Sequence, residues 1–474
     1  MDAVDQARLV RDGEATPLEL VDAAIARIEA TNPEINAVIF PTFEKARDAA
    51  RGSIPDGPFR GVPFLVKDLG MTTAGDPYCQ GSNFLKEAGW VAPTDSHLAT
   101  KLRAAGFILC GRTNTPEWGT LPTTEPLAFG ATRNPWDVEH SAGGSSGGSS
   151  AAVAAGMVPV AQGGDGGGSL RVPASACGIV GLKPSRGRVS PGPDIGDPLF
   201  GLNIQGVMSR TVRDTAAVMD CISGPMPGDA RAVSALDRPL AEEVGANPGA
   251  LRIGCYFDGS AFDVTTHPDC VAATQDAAEL LGSLGHKVEE AHPAAMEEAE
   301  VRQRAVAMWS VAAAMHLDHW SPALGRTVEV EEVEPHNQIL VNLGRSLSAT
   351  DFHAAREWLY AWTRRMQTWW EEDGWDLLLT PTMAQPPPRL GELTSTDDDP
   401  GRGMRGAIDI VPFTQPFNIT GQPGISLPLH WNEGGLPIGV QLVAGFGRED
   451  LLIRVAAQLE AARPWANRRP PVFA

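Results

Sequence analysis

Residues 141–173 read SAGGSSGGSSAAVAAGMVPVAQGGDGGGSLRVP, and the reading of this stretch decides the fold. Nine residues before Val153 are Gly or Ser, which by composition alone describes a flexible linker. Two apolar runs argue otherwise. Ala151 to Ala155 has the character of a buried helix, and Val158 to Ala161 that of a buried strand. Two glycine-rich loops therefore flank two core elements. Glycine in such loops permits positive φ and lets the backbone come close to another group.

Outward from this stretch, helices and strands alternate. Thr16-Pro17-Leu18-Glu19 opens a helix: Thr16 caps it, Pro17 suits its first position and Glu19 completes a capping box. Leu18, Val21, Ile25 and Ile28 share one face, and Asn32-Pro33 is expected to end it. Ala37 to Phe40, Val62 to Val66 and Phe107 to Cys110 read as strands, with a helix from His97 to Ala105. Beyond about residue 215 helical patterns dominate, at Pro268 to Gly285, Ala294 to Trp320 and Ser348 to Glu372. The last holds Trp358, Trp362, Trp369 and Trp370, read as core packing. Strands return at Leu377 to Leu379, Gly424 to Leu427 and Ile438 to Ala444, and a helix closes the chain at Arg448 to Ala462. Thr394 to Met404, with its acidic run, reads as a solvated loop. The alternation predicts an α/β protein. Length alone would allow about two to four domains, but strands on both sides of a helical stretch fit one wound sheet with helices added.

Composition narrows the function. The chain has 474 residues, 43% hydrophobic and 20% charged, which is ordinary for a globular protein. Net charge is −20, from 38 basic and 58 acidic residues. That argues against a nucleic-acid partner, which needs clustered Lys and Arg. The start, MDAVDQARLVRDGEATP, has no apolar h-region, and no apolar run approaches the length of a membrane span. Six scattered cysteines form no C-x-x-C pair and read as reduced, which places the protein in the cytoplasm. The ten histidines include no H-E-x-x-H or similar cluster, so no metal is expected.

Three segments carry chemistry. In Gly61-Val-Pro-Phe-Leu-Val-Lys67-Asp68 a lysine ends an apolar strand. Strand alternation sends Lys67 and Asp68 to opposite faces, leaving Lys67 without a carboxylate partner. Burial would then lower its pKa from about 10.4 towards about 7 to 8, where it can accept a proton. The bland alternative is a strand-end lysine whose stem reaches solvent. The second segment is Gly143-Gly-Ser145-Ser146-Gly-Gly148. The third is Asp165-Gly166-Gly167-Gly168-Ser169-Leu-Arg171-Val-Pro173. Three glycines before a serine leave unobstructed N–H groups beside its hydroxyl, as an oxyanion hole requires. A P-loop is excluded because no G-K-[ST] follows.

These segments resemble the amidase signature family, whose pattern is GGSSGGS, then D-x-G-G-S-x-R-x-P, then CGIVGLKP. This chain has GGSSGGSS, GGDGGGSLRVP and Cys177-Gly-Ile-Val-Gly-Leu-Lys-Pro184. The likeness runs over essentially the whole chain, through Gly206-Val-Met-Ser-Arg-Thr-Val-Arg-Asp214, Pro416-Phe-Asn-Ile-Thr-Gly-Gln-Pro423 and Gly435-Leu-Pro-Ile-Gly-Val-Gln441. The resemblance implies one large twisted mixed sheet with helices on both faces. It implies a single domain over 1–474, with a signature core at about 60–215 and a helical insertion at about 265–375 lining the substrate pocket. It also implies a Ser–cis-Ser–Lys triad: Ser169 as nucleophile, Ser145 after a cis peptide as bridge, Lys67 as base. Oxyanion and substrate contacts would fall to Gly166, Gly167, Gly168, Ser169, Ser145 and Gly119. Gly166 departs from relatives that carry a bulkier residue there, which points to a looser loop or wider pocket. Asp165 and Arg171 read as a structural pair. Trp309 is a candidate lining residue of the acyl pocket.

The expected reaction is two-step acyl transfer on a small-molecule amide without a cofactor. An α/β-hydrolase esterase also has G-x-S-x-G, matched at Gly143 to Gly147. Its elbow needs an apolar strand just before it, however, and Trp136-Asp-Val-Glu-His140 does not supply one. Within the family the chain is most similar to the 6-aminohexanoate cyclic dimer hydrolase branch, on Asn32-Pro-Glu-Ile-Asn-Ala-Val38, Thr123-Thr-Glu-Pro126, Gly130-Ala-Thr-Arg-Asn-Pro-Trp136 and Gly447-Arg-Glu-Asp-Leu-Leu452. A cyclic amide is therefore an alternative substrate. Three further readings stay open: the amidase component of a glutamyl-tRNA amidotransferase, working in a partner complex; a non-catalytic binding protein; and a homodimeric assembly.

Overall fold

In the computed structural model, which describes residues 1–474, thirteen strands form. They are β1 (Val38–Pro41), β2 (Pro63–Lys67), β3 (Ile108–Thr113), β4 (Arg133–Asn134), β5 (Asp137–Ser141), β6 (Val160–Asp165) and β7 (Val180–Lys183). The rest are β8 (Ile204–Ser209), β9 (Arg252–Cys255), β10 (Lys287–Glu290), β11 (Leu377–Pro381), β12 (Gly424–Trp431) and β13 (Pro437–Ala444). β4 and β5 pair alone. The other eleven make one sheet in the order β1-β3-β2-β6-β8-β7-β12-β13-β11-β9-β10. β2 runs parallel to both neighbours, whereas β6, β8, β7, β12 and β13 alternate in direction, so the sheet is mixed.

Alternation along the central strands explains why both faces are covered. Phe64 and Val66 enter one buried apolar cluster with Val160 and Val207. Leu65 enters another with Ala161 and Met208. Helices His97–Ala104, Val212–Ile222, Pro268–Ser283 and Glu449–Ala462 pack on the first face. Helices Pro17–Ile35, Gly147–Ala154 and Arg171–Cys177 pack on the second. Lys67 follows Leu65 in the alternation, so it emerges on the second face, among the glycine-serine elements.

Several expected boundaries moved for physical reasons. The first long helix runs through Pro33 to Ile35, because Asn36 caps it in the left-handed region with its N–H on the Asn32 carbonyl. The Gly/Ser helix begins at Gly147 rather than Ala151. A Cβ at Gly148 would lie 2.4 Å from the Asn114 nitrogen and 2.8 Å from the Ala37 oxygen, so glycine lets this helix sit against backbone. The stretch at 294–320 is a short 3-10 turn, Ala294–Glu297, then a helix Glu300–Leu324. Thr394 to Met404 is not wholly a solvated loop. Leu393 and Ser395 are buried, and a helix Arg402–Ile410 starts inside it. Met404, Ile408 and Val411 repeat at helical spacing beyond the acidic run, which masks them. The helix Pro335–Ser346 and strands β7 to β10 were not among the expected elements.

Candidate active site

Lys67 is 1% exposed, and its ammonium group meets two serines. Nζ donates to Ser145 Oγ at 2.7 Å and to Ser146 Oγ at 3.1 Å. Its own N–H is held by Gln162 Oε1 at 3.0 Å, and Gln162 is fixed in turn by Gln205 at 2.8 Å. Asp68 turns away and accepts from the N–H groups of Cys79 and Gly81. Burial lowers the Lys67 pKa to about 7, with Asp165 pulling it back upward in part. Near neutrality this lysine is therefore poised between its two protonation states. The peptide between Gly144 and Ser145 is cis.

Ser169 sits between the end of β6 and the helix Arg171–Cys177. The loop that carries it is pinned from both sides. Arg171 forms a bidentate pair with Asp165 at 2.9 Å, both side chains fully buried. Burial alone would raise the Asp165 pKa; Arg171, together with Lys183 and Asn418, outweighs it and holds the carboxyl at about 2. Arg171 also donates to the Thr414 carbonyl, Gln441 and Asn418. On the other side, Thr414 Oγ1 donates to the Gly167 carbonyl at 2.7 Å. A trans peptide points its N–H opposite its carbonyl, so the Gly168 N–H faces away from Thr414. The N–H groups of Gly166, Gly167, Gly168 and Ser169 have no partner in the protein. The loop that carries Ser169 therefore holds four uncommitted donors.

The turn Glu117–Gly119 forms the rim beside Ser145. Gly119 has φ +73°, and a Cβ there would lie 2.9 Å from Ser145 Oγ, so a side chain would crowd that hydroxyl. The turn is tied to the helix Pro335–Ser346. Glu117 accepts from the Glu334 N–H at 2.7 Å and from Asn337 Nδ2 at 2.8 Å, while Thr120 meets His336 Nε2 at 3.0 Å. Burial and the neighbouring Glu334 carboxyl push the Glu117 pKa upward, and burial lowers that of His336 to about 4.

These parts open onto a cavity of about 410 Å³. Ser169, Gly167, Gly168, Gly144 and Gly119 form its floor. Trp309, Val306 and Val301 come from the helix Glu300–Leu324, and Met404, Ile408 and Val411 from around the helix Arg402–Ile410. Of the residues singled out in the sequence, Lys67 and Ser145 are in direct contact, and Ser169, Gly119, Gly167 and Gly168 share the cavity. Ser169 lines the cavity, and its hydroxyl is not hydrogen-bonded to Ser145. Gly166 does not line the cavity. Trp309 and Leu199 fill the space beside it, 3.2 and 3.3 Å from where its Cβ would be, so the loop is packed there rather than loose. Sequence reasoning missed Ser146, Thr414 and the wall around Met404. The first was adjacent to a named serine, and the third was visible as helical spacing. No cluster of three or more His, Cys, Asp and Glu side chains is placed to hold a metal ion.

The Amidase family profile matches residues 19–453, and the chain belongs to that family. It is an amidase, a hydrolase acting on amide C–N bonds. It is similar to the 6-aminohexanoate-cyclic-dimer hydrolase of Paenarthrobacter ureafaciens, with 45% identity over 479 residues, covering 100% of this chain and 97% of that one. A solved structure of 6-aminohexanoate cyclic dimer hydrolase complexed with substrate superposes with a TM-score of 0.96 at 44% identity, covering 100% of this chain and 99% of that chain. A bacterial aryl acylamidase of the amidase signature family superposes with a TM-score of 0.87 at 26% identity, over 99% of both chains.

Proposed function

We propose that this amidase works through Ser169 as nucleophile, Ser145 as proton bridge and Lys67 as base, on small-molecule amides. The contact that carries the reading is the 2.7 Å bond from buried Lys67 to Ser145, the residue that directly follows Gly144 in the lining of the cavity that Ser169 enters. Ser169 Oγ attacks the amide carbonyl, and its proton passes through Ser145 to neutral Lys67. The tetrahedral oxyanion rests on the free N–H groups of the loop Gly166–Ser169. Lys67 returns the proton through Ser145 to the amide nitrogen, the C–N bond breaks, and the amine leaves. Water, deprotonated by the same pair, opens the acyl-enzyme to the carboxylic acid and frees Ser169. Ser146, the second contact of Lys67, orients the lysine rather than relaying the proton.

The whole chain is read as one catalytic domain, because the eleven-stranded sheet is continuous and the segment at about 265–375 contributes a cavity wall. No helix is long and apolar enough to cross a membrane, and all six cysteines are free, which supports a cytoplasmic location. A second reading, a cyclic amide of 6-aminohexanoate as substrate, is favoured by the 45% identity to the hydrolase of that compound. The test is fluorophosphonate labelling and turnover of the purified chain on linear, aryl and cyclic amides. Ser169→Ala should lose both. Full labelling of that variant would overturn the nucleophile assignment, and a lack of turnover without added protein would favour a partner complex.

A further inference from the structure

The cavity lining is largely apolar, and its charged side chains have one sign. Among the lining residues the only ionic groups are Arg302 and Arg405, in a chain whose net charge is −20. The two arginines differ. Arg405 is held by Asp399, with both carboxylate oxygens at 2.7 Å. Arg302 has no such partner. The carboxylates nearest to it in sequence are engaged elsewhere: Glu298 binds Arg365 and Glu300 binds Arg304. The Arg302 guanidinium makes no ion pair and no side-chain hydrogen bond, although it is partly buried. A partly buried cation without a counter-charge favours an anion brought by a ligand.

Its position sets the distance from the chemistry. Arg302, Val306 and Trp309 follow one another along one face of the helix Glu300–Leu324. Trp309 packs at the floor, 3.5 Å from where a Cβ of Gly167 would lie. Arg302 is two turns away, about 10 Å along the helix axis at ~1.5 Å per residue. Helical side chains lean towards the N-terminus, which carries the Arg302 guanidinium further from the floor. Val306 lies between Arg302 and Trp309, and Val301 and Phe262 add further apolar lining.

We propose that Arg302 recognises an anionic group at the far end of the substrate, so that the preferred amides carry a carboxylate separated from the scissile carbonyl by an apolar chain of roughly 10 Å. This rests on the cavity being the substrate pocket of the reaction set out above. Arg302 sets specificity and takes no part in bond breaking.

The experiment compares a linear diacid monoanilide with its carboxamide-ended isostere across a series of chain lengths. The expected kcat/KM ratio is about tenfold or more in favour of the acid at low salt, with an optimum at intermediate length. The ratio should fall towards one in Arg302→Gln, recover in part in Arg302→Lys, and shrink with added salt. Calorimetric binding of the diacid monoamide and the corresponding diamide to Ser169→Ala gives the same comparison without turnover. A wild-type ratio near one, equal binding of the two ligands, or an unchanged ratio in Arg302→Gln overturns the proposal. Loss of labelling and of neutral-amide hydrolysis in the wild type would instead strike the catalytic reading, so the two failures are separable. Melting curves of both variants confirm the fold.

Discussion

Lys67, buried behind the floor of the cavity, is 1% exposed and holds two serine hydroxyls. Ile408, on the wall, is 47% exposed and offers only an apolar surface. The floor is assembled from glycines and serines packed closely against neighbouring groups. The wall is assembled from aliphatic and aromatic side chains of helices outside the glycine-serine stretch. Chemistry needs atoms placed to a few tenths of an ångström, which the floor supplies by packing against backbone. Recognition of an apolar group needs only shape and volume, which a helical wall can change residue by residue.

Substitutions at the two places should separate accordingly. The largest effect is expected at the floor. Lys67→Met should lower kcat by about 10³-fold across the pH range while the melting temperature holds or rises, since it removes a buried amine. The wild-type profile checks the same point. Because the neutral lysine is the base, kcat/KM should climb through about pH 7 and then level off, following the lowered pKa. An acid limb far below neutrality would break the assignment. Gly148→Ala should come next, as a stability defect of about 1–3 kcal/mol, because its Cβ would meet Asn114 and Ala37 backbone atoms; chemical denaturation measures it. At the wall, Ile408→Ala should raise KM for bulky acyl groups by only a few-fold, at about 1–2 kcal/mol or less, with kcat for small amides nearly unchanged. Equal losses in kcat and KM there would erase the distinction drawn between the two regions.

The smallest effect concerns Glu117, at the junction of rim and wall. Its folded pKa is raised above the ordinary carboxyl value of 4.5. The folded state therefore keeps a proton that the unfolded state releases, and the associated stability is present at low pH and lost as pH rises. Glu117→Gln should narrow the difference in denaturation midpoint between about pH 6 and about pH 9. An unchanged difference would show that the carboxyl is ionised throughout.

The floor was legible in the sequence because its chemistry is written in residue types that have few other reasons to occur together. Three glycines before Ser169, a serine pair in a glycine tract and a lysine ending an apolar strand each point to the same arrangement. Strand alternation alone placed Lys67 and Asp68 on opposite sides. What stayed hidden depends on contacts distant in the chain. Thr414 reaches the Gly167 carbonyl from 247 residues away in the chain, and nothing local to either residue marks the pair. The wall at Met404 to Val411 was obscured because the acidic run before it dominates the composition of that window. Pro33 misled in the opposite direction: a proline in the last turn costs little there, because Asn36 ends the helix in its place.

The Thr414 hydroxyl has a consequence for how such an enzyme could acquire new substrates. It clamps the oxyanion loop, yet it sits only a few residues beyond Ile410, the last residue of the wall helix, and next to Gln415, which lines the cavity. A drift in the wall at Pro412 or Gln415 would tug the peptide that presents the Gly168 N–H. Val306 and Ile408 carry no such tether. They are the positions where diversification, natural or engineered, can reshape the cavity while the catalytic geometry stays in register.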